Sequence, residues 1–431
     1  VVHAAQPRSA RLGPFASLIA ALTAAPLLAC GSSTTDRDPR TVVAGQVLEL
    51  PSPAVSGSGQ PFLARARDGA VLMSWLERAG DTTRAHALRF ARWDGESWSE
   101  PRTIATSDAF FVNWADFPSI AELPDGRLAA HWLARSGSGR YAYDVRIAWS
   151  GDGGLTWSDP VTPHTDGTPT EHGFVSMFPL DGGIGAAWLD GRNFAGRQEG
   201  ADDHGPGADM TLRVARIAQD GTLSHEHEID GRTCECCQTD AALAAGGPIL
   251  VYRDRSPAEV RDIALVRFDG GRWTDPAIVH ADGWVFPGCP VNGPAVAGAG
   301  DRVGVAWYTA AGERPRVRLA VSEDGGRSFG PPIDVDDGAP AGRADLLFLD
   351  DGTALVSWIE GAGDNAGVRI RAVSPRSGAG PSATVAAASA ERASGFPRML
   401  ATEAGVLFAW TDPGRAPRVR IALVTLERTA P

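Results

Sequence analysis

Residues 69–75 read GAVLMSW, a turn glycine followed by a short apolar run that stops on an aromatic residue. The same pattern returns as GRLAAHW ending at Trp132, GGIGAAW at Trp188 and GGPILVY at Tyr252. It continues as DRVGVAW ending at Trp307, GTALVSW at Trp358 and AGVLFAW at Trp410. Each copy reads as a buried strand, and each follows a weaker first strand, such as 118–123 or 345–349. Each also precedes a third strand opened by an arginine: Arg89, Arg146, Arg213, Arg318, Arg369 and Arg420, with Asp262 the exception. A fourth strand follows a turn, as in SEPRTI around Pro101 and TDPAIV around Pro276. Four short strands recurring roughly every 45 to 60 residues make a propeller blade. The sequence therefore predicts an all-β chain forming a single β-propeller of seven four-stranded blades, with six blades the alternative count. The last unit lacks its own fourth strand. Residues 46–50, ahead of the first blade, can supply it and close the ring, which removes an open edge.

The turns before the fourth strand carry a second signal. Ser150-Gly-Asp152-Gly-Gly154-Leu-Thr156-Trp157 and Ser322-Glu-Asp324-Gly-Gly326-Arg-Ser328-Phe329 share one spacing, S-x-D-x-G-x-T/S-W/F. The carboxylate can accept turn amides, the glycines supply positive φ, and the aromatic is expected to be buried on the blade. These turns resemble the Asp boxes (BNR repeats) of sialidase-like propellers, with degenerate versions at 94–98 and 269–273. In that family such boxes are structural. Sialidases usually have six blades, so a count of seven departs from them.

Propeller topology places the loops that lead into first strands, and those joining strands two and three, on one face. The Asp-box turns lie on the other. An acid often sits two residues beyond the aromatic (Glu77, Asp190, Asp254, Glu360, Asp412) and is expected to pair with the arginine across the hairpin. Blade 4 breaks the pattern: its aromatic is Tyr252, Asp262 replaces the arginine, and Arg253 and Arg261 flank these positions. Cys234-Glu-Cys236-Cys237 stands directly before its first strand, and Gly288-Cys289-Pro-Val-Asn292 leads into blade 5. Because these loops belong to adjacent blades, the four cysteines are expected to meet at the channel mouth. Three readings stay open: two disulfides bracing irregular loops, a thiolate site for copper or zinc with His172 as a further ligand, or one disulfide beside a reactive thiol pair. A vicinal bridge between Cys236 and Cys237 is disfavoured by strain.

The resemblance to sialidases also implies a catalytic set: a tyrosine nucleophile paired with a glutamate, an aspartate acid/base and three arginines that hold a substrate carboxylate. Chosen by face, the candidates are Tyr252, Asp116, and Arg253, Arg343 and Arg398. No F/Y-R-I/L-P motif is present to carry the family's first arginine. Two functions follow: a glycoside hydrolase acting on sialic-acid-like or other glycans, or a non-catalytic propeller that binds a glycan, protein or metal.

Composition narrows the rest. The 431 residues are 43% hydrophobic and 21% charged, enough for a large core. A formal net charge of −12 disfavours a nucleic-acid partner. Residues 1–30 read as a signal segment, with Arg8 and Arg11 ahead of an apolar run. Its end, Leu27-Leu-Ala-Cys30-Gly31, resembles a bacterial lipobox. That resemblance implies lipidation at Cys30, a polar tether over 31–40 and a propeller over 41–431. The expected product is a monomer held in the cell envelope, on the periplasmic or outer surface, whose only contact with the membrane is the lipid anchor.

Overall fold

A computed structural model describes residues 41–80, 83–197, 209–374 and 378–429. Cys30 with its signal segment and the 31–40 tether lie outside the described residues. The described chain is all-β: seven antiparallel sheets in sequence order, with only single-turn 3-10 helices between strands. No described helix is long and apolar enough to cross a membrane.

Each sheet is one blade. Blade 1 runs Ser58–Arg65, Val71–Arg78, His86–Trp93 and Arg102–Ser107. Blade 4 is built on Asp240–Ala244, Gly247–Arg253, Ile263–Asp269 and Ala277–His280, with a short Arg272–Trp273 hairpin at its turn. Successive first strands touch in cyclic order, and Arg398–Thr402 of blade 7 meets Ser58–Arg65 of blade 1, so the seven form a closed ring. The core is the set of apolar layers between adjacent blades; Trp188, Ala186 and Ile184 of blade 3, for example, pack with Val145, Ile147 and Trp149 of blade 2.

The ring is closed by the N-terminal strand. Thr41–Leu50 pairs antiparallel with the last strand, Arg418–Thr429, and Val47 to Leu50 face Val424 to Ile421. Blade 2 departs from four strands. It has Ser119–Glu122, Leu128–Arg135 and Tyr143–Ser150, and only one residue of a fourth, Val161, bonded to Ile147 in both directions at 2.8 and 2.9 Å. The cause is local: Pro160 and Pro163 flank Val161 and cannot donate to a ladder.

Register explains the repeated arginine. Trp75 faces Arg89, and the same cross-strand pair recurs as Trp132–Arg146, Trp188–Arg213, Trp307–Arg318, Trp358–Arg369 and Trp410–Arg420. In blade 4, Tyr252 faces Ala264 rather than Asp262. Asp262 precedes its strand and instead accepts the amides of Gly283 and Trp284 at 3.0 and 3.1 Å. Acids of first strands staple neighbouring blades: Asp240 accepts the Val296 amide and Asp345 the Met399 amide, each at 2.8 Å.

The two Ser-x-Asp turns are nearly superimposable in their bonding. Asp152 Oδ1 accepts the Leu155 and Thr156 amides at 3.0 and 2.9 Å, and Ser150 Oγ accepts the Gly154 amide at 2.8 Å. Asp324 and Ser322 do the same for Arg327, Ser328 and Gly326 at 3.0, 2.9 and 2.9 Å. Gly154 has φ of +86°, and a Cβ there would lie 2.3 Å from the Phe90 ring. Trp157 and Phe329 are half-buried rather than buried. Trp157 meets Phe90 edge-on at 6.1 Å and keeps part of its surface in solvent.

Candidate metal centre

Blade 4 brings three sulfurs together on the face opposite the Ser-x-Asp turns. Its second strand ends at Arg253, whose carbonyl accepts the Cys234 amide at 3.0 Å. That bond folds the Cys-Glu-Cys-Cys segment over the strand end. Cys234 Sγ then lies 2.9 Å from Cys237 Sγ and 4.0 Å from Cys236 Sγ. All three fall within 4.8 Å of one another, a spacing that can hold one metal ion. Cys289 arrives from the loop into blade 5, is solvent-exposed, and is near enough to Cys236 to raise its thiol further, but it is not one of the three sulfurs that lie within 4.8 Å of one another. No two of the four are joined in this structure, the nearest pair being Cys234 and Cys237.

The protonation pattern is uneven. Burial pushes the Cys234 thiol up to about 12 and raises Cys236 as well. Burial also opposes ionisation of Cys237, but thiol hydrogen bonds from Cys234 and Cys236, the Arg253 charge and the Asn292 amide outweigh it and hold Cys237 well below its usual range. Cys237 is therefore the sulfur of the three that ionises most readily, and the thiolate is the form that binds metal.

Arginines frame it. Arg253 donates to the Asn292 carbonyl from Nε and Nη2 at 2.9 and 2.7 Å, to the Arg261 carbonyl at 2.6 Å and to the Tyr308 carbonyl at 2.7 Å. Its guanidinium stacks 4.9 Å over the Trp284 ring. Arg253 thus ties the blade 5 loop, and with it Cys289, to the blade 4 strand end. Glu235, between the cysteines, pairs with Arg255 and with Arg261 at 3.0 Å, and Glu259 holds both arginines from the far side. A groove of about 670 Å³ beside Trp284, Phe286 and Tyr308 reaches Cys289 from solvent. Another surface groove, about 860 Å³, lies between blades 6 and 7, where its lining includes Ala386, Ala387 and Ala388.

The other candidate residues sit in separate settings. Among the described residues the sulfur cluster includes no histidine; His172 lies in blade 3 beside His164, Asp144 and Asp166. Tyr252 donates to Asp230 at 2.7 Å. Asp116 accepts the Phe174 amide at 2.8 Å and the Tyr143 hydroxyl at 3.1 Å, while Tyr143 also donates to Glu171 at 2.7 Å. Burial raises the Asp116 carboxyl to about 7, although both hydrogen bonds act against it. Arg343 directs Nη1 and Nη2 to the carbonyls of Gly395, Ala390 and Glu391 at 3.0, 3.0 and 2.9 Å and stacks over Trp114. Arg398 lies 4.3 Å over the Phe117 ring and 3.8 Å from Asp345. Arg253 and Arg343 bind main-chain carbonyls, and Tyr252 and Asp116 belong to different hydrogen-bond pairs.

With the fold and this site in view, the chain is a seven-bladed β-propeller with a sulfur cluster on one face. No protein-family model matches it. No curated protein matches it either. Similar solved structures include a protein of unknown function from Dyadobacter fermentans DSM 18053, at 15% identity and TM-score 0.49, spanning 89% of this chain and 99% of that one. The polysaccharide lyase Uly1 is similar at 10% identity and TM-score 0.49, over 89% and 99%. The Hadza microbial sialidase Hz136 is similar at 17% identity and TM-score 0.44, over 70% of this chain and 63% of that one.

Proposed function

We propose that this protein is an exported propeller, anchored in the cell envelope through Cys30, that binds a thiophilic metal ion at Cys234, Cys236, Cys237 and Cys289. The observation that carries this reading is the convergence of three sulfurs within 4.8 Å around one depressed thiol, with Cys289 on the adjoining loop. Thiolate donors select copper(I) or zinc over hard cations. Copper(I) suits the three inner sulfurs, and zinc suits all four. The Arg253 and Arg261 charges beside the sulfurs favour the deprotonated ligands the metal needs.

The test is metal analysis and thiol counting on full-length protein prepared from the envelope. One equivalent of copper or zinc, with thiols that become reactive only after chelation, supports the proposal. Metal-free protein with no titratable thiol even when unfolded would sink it in favour of two disulfides.

A glycoside hydrolase reading draws on one observation, the Asp116 carboxyl near 7 beside the Tyr143–Glu171 pair. It is the weaker reading, because Tyr143 is 0% exposed and no attacking atom can reach a sugar from there. Release of sialic acid from a sialoside by the full chain, abolished by Asp116→Asn, would reverse this order.

A further inference from the structure

We propose a second metal site, in a different blade and of different chemistry: a divalent transition cation, zinc foremost, held by Asp144, His164 and His172. It is independent of the sulfur site.

The site follows from the broken fourth strand of blade 2. With Pro160 and Pro163 ending the ladder at Val161, the chain is free to leave the sheet and carry His164 and Asp166 up to the loops between blades 2 and 3. There the His164 ring stacks on His172, the first residue of blade 3, with centroids 3.8 Å apart and planes 7° off parallel. His172 is 0% exposed and His164 6%. Stacking places one nitrogen of each ring, Nδ1 of one and Nε2 of the other, on each of two sides of the pair. On one side, Asp166 Oδ1 bonds His164 Nδ1 at 3.2 Å and lies 3.3 Å from His172 Nε2. On the other side, His164 Nε2 and His172 Nδ1 both face Asp144 Oδ1, at 4.0 and 3.8 Å. Neither of these two nitrogens has a hydrogen-bond partner. A buried imidazole nitrogen without a partner is costly and calls for an explanation.

The two sides are not equivalent. Asp190, on the Asp166 side, is already saturated. It accepts the Trp188 indole N–H at 2.8 Å and three bonds from Arg192, at 3.1, 2.7 and 2.7 Å. Asp166 Oδ2 accepts the Thr168 amide at 3.1 Å and its hydroxyl. The Asp144 side is open. Arg146 holds Oδ2 at 3.3 Å and leaves Oδ1 turned toward the imidazoles. A cavity of about 260 Å³ lined by Asp144, His164, Ser136 and Thr165 reaches two of these three groups from solvent, with His172 buried behind them. Two imidazoles and one carboxylate, with that cavity beside them, make an open transition-metal site. Asp166 then takes the part of the carboxylate that orients ligand histidines from behind.

Cobalt(II) distinguishes this site from the sulfur cluster, since only thiolate ligands give an intense sulfur-to-cobalt charge-transfer band. Chelator-stripped full-length protein is titrated with cobalt(II), following absorbance and heat together. The wild type is expected to bind one equivalent that develops no charge-transfer band. His164→Gln and Asp144→Asn should lose that equivalent, and Asp166→Asn should weaken it by about 10- to 100-fold. Thermal melts of the metal-free variants confirm that they are folded; should His164→Gln fail to fold, Asp144→Asn, which keeps size and shape, decides. A wild type that binds no band-free equivalent, or folded variants that bind it unchanged, overturns the site. A missing charge-transfer band with the band-free equivalent intact would sink the zinc form of the sulfur site and leave this site standing.

Discussion

Trp307 donates its indole N–H to Asp282 at 2.6 Å, across the boundary between blades 5 and 4. In blades 1, 3 and 6 the same indole bond goes to an acid two residues along the strand: Trp75 to Glu77, Trp188 to Asp190 and Trp358 to Glu360. Blade 5 has Tyr308 and Thr309 after its tryptophan, and so borrows Asp282 from the loop after the last strand of blade 4. Asp282 also pairs with Arg318, and its side chain is 1% exposed.

Asp282→Ala should therefore lower stability by about 2–3 kcal/mol, since it strands a buried indole donor and a guanidinium. Asp334→Ala, which removes the exposed partner of the same arginine, should cost under about 1 kcal/mol. Urea denaturation of both variants checks this; equal midpoints would refute the inter-blade role.

The repeat was legible because its cause is local. A turn glycine, an apolar run and a terminal tryptophan sit on contiguous residues, and seven copies fix the blade count. The closing strand was legible for the same reason, since one blade lacked a strand and one strand lacked a blade. The use of the acids was not. Their spacing suggested pairs with the facing arginines, which holds for Glu77–Arg89 and Asp412–Arg420. It fails for Arg213, which bonds Glu226 and Glu228 while Asp190 binds Arg192. Which of two nearby acids an arginine takes depends on side-chain reach in three dimensions. His164, Asp144 and Asp166 were equally hidden. They lie outside the repeat, and only the proline pair around Val161 hinted that the chain leaves the sheet there.

Asp116 gives a pH prediction. Its carboxyl, raised by burial to about 7, binds a proton in the folded state between pH 4 and 7 that the unfolded chain has already released. Stability must then fall as pH rises through that window, by at most about 1.4 kcal/mol per pH unit, and level off above it. Asp116→Asn keeps an acceptor for the Phe174 amide and carries no charge, so its stability should be flat across the window relative to wild type. Denaturant titrations at pH 4.5, 6 and 7.5 measure the difference; parallel curves would rule out the raised carboxyl.

The closing strand predicts a truncation phenotype. A chain that begins at Pro51 loses the partner of Arg418–Thr429 and uncovers Val42's neighbours Val424 and Phe408. The open edge is a template for pairing with a second molecule. Size-exclusion chromatography should show oligomers or aggregates, and thermal unfolding should shift down. A monomer with an unchanged transition would mean that closure is dispensable.

The sulfur site depends on two loops being pressed together, and one glycine makes that approach. A Cβ on Gly293 would lie 2.1 Å from the Gln238 carbonyl oxygen, a main-chain atom that cannot turn aside. Gln238 follows Cys237, and its side-chain oxygen accepts the Gly293 amide at 3.0 Å, so Gly293→Ala must push the loop bearing Cys289 and Asn292 off the loop bearing the other cysteines. That displacement weakens the Asn292 amide bond that favours the Cys237 thiolate and draws the fourth sulfur away. Gly298 supplies the control. Its Cβ would meet the Leu243 carbonyl oxygen at 2.2 Å, the same overpacking between the same two blades, but further along the first strands and away from the sulfurs. Both substitutions should cost about 1–3 kcal/mol of stability. Only Gly293→Ala should also weaken zinc or copper(I) binding and leave Cys289 more reactive toward a thiol reagent. If the two variants bind metal equally, the loops are not coupled through this contact, and Cys289 is no part of the site.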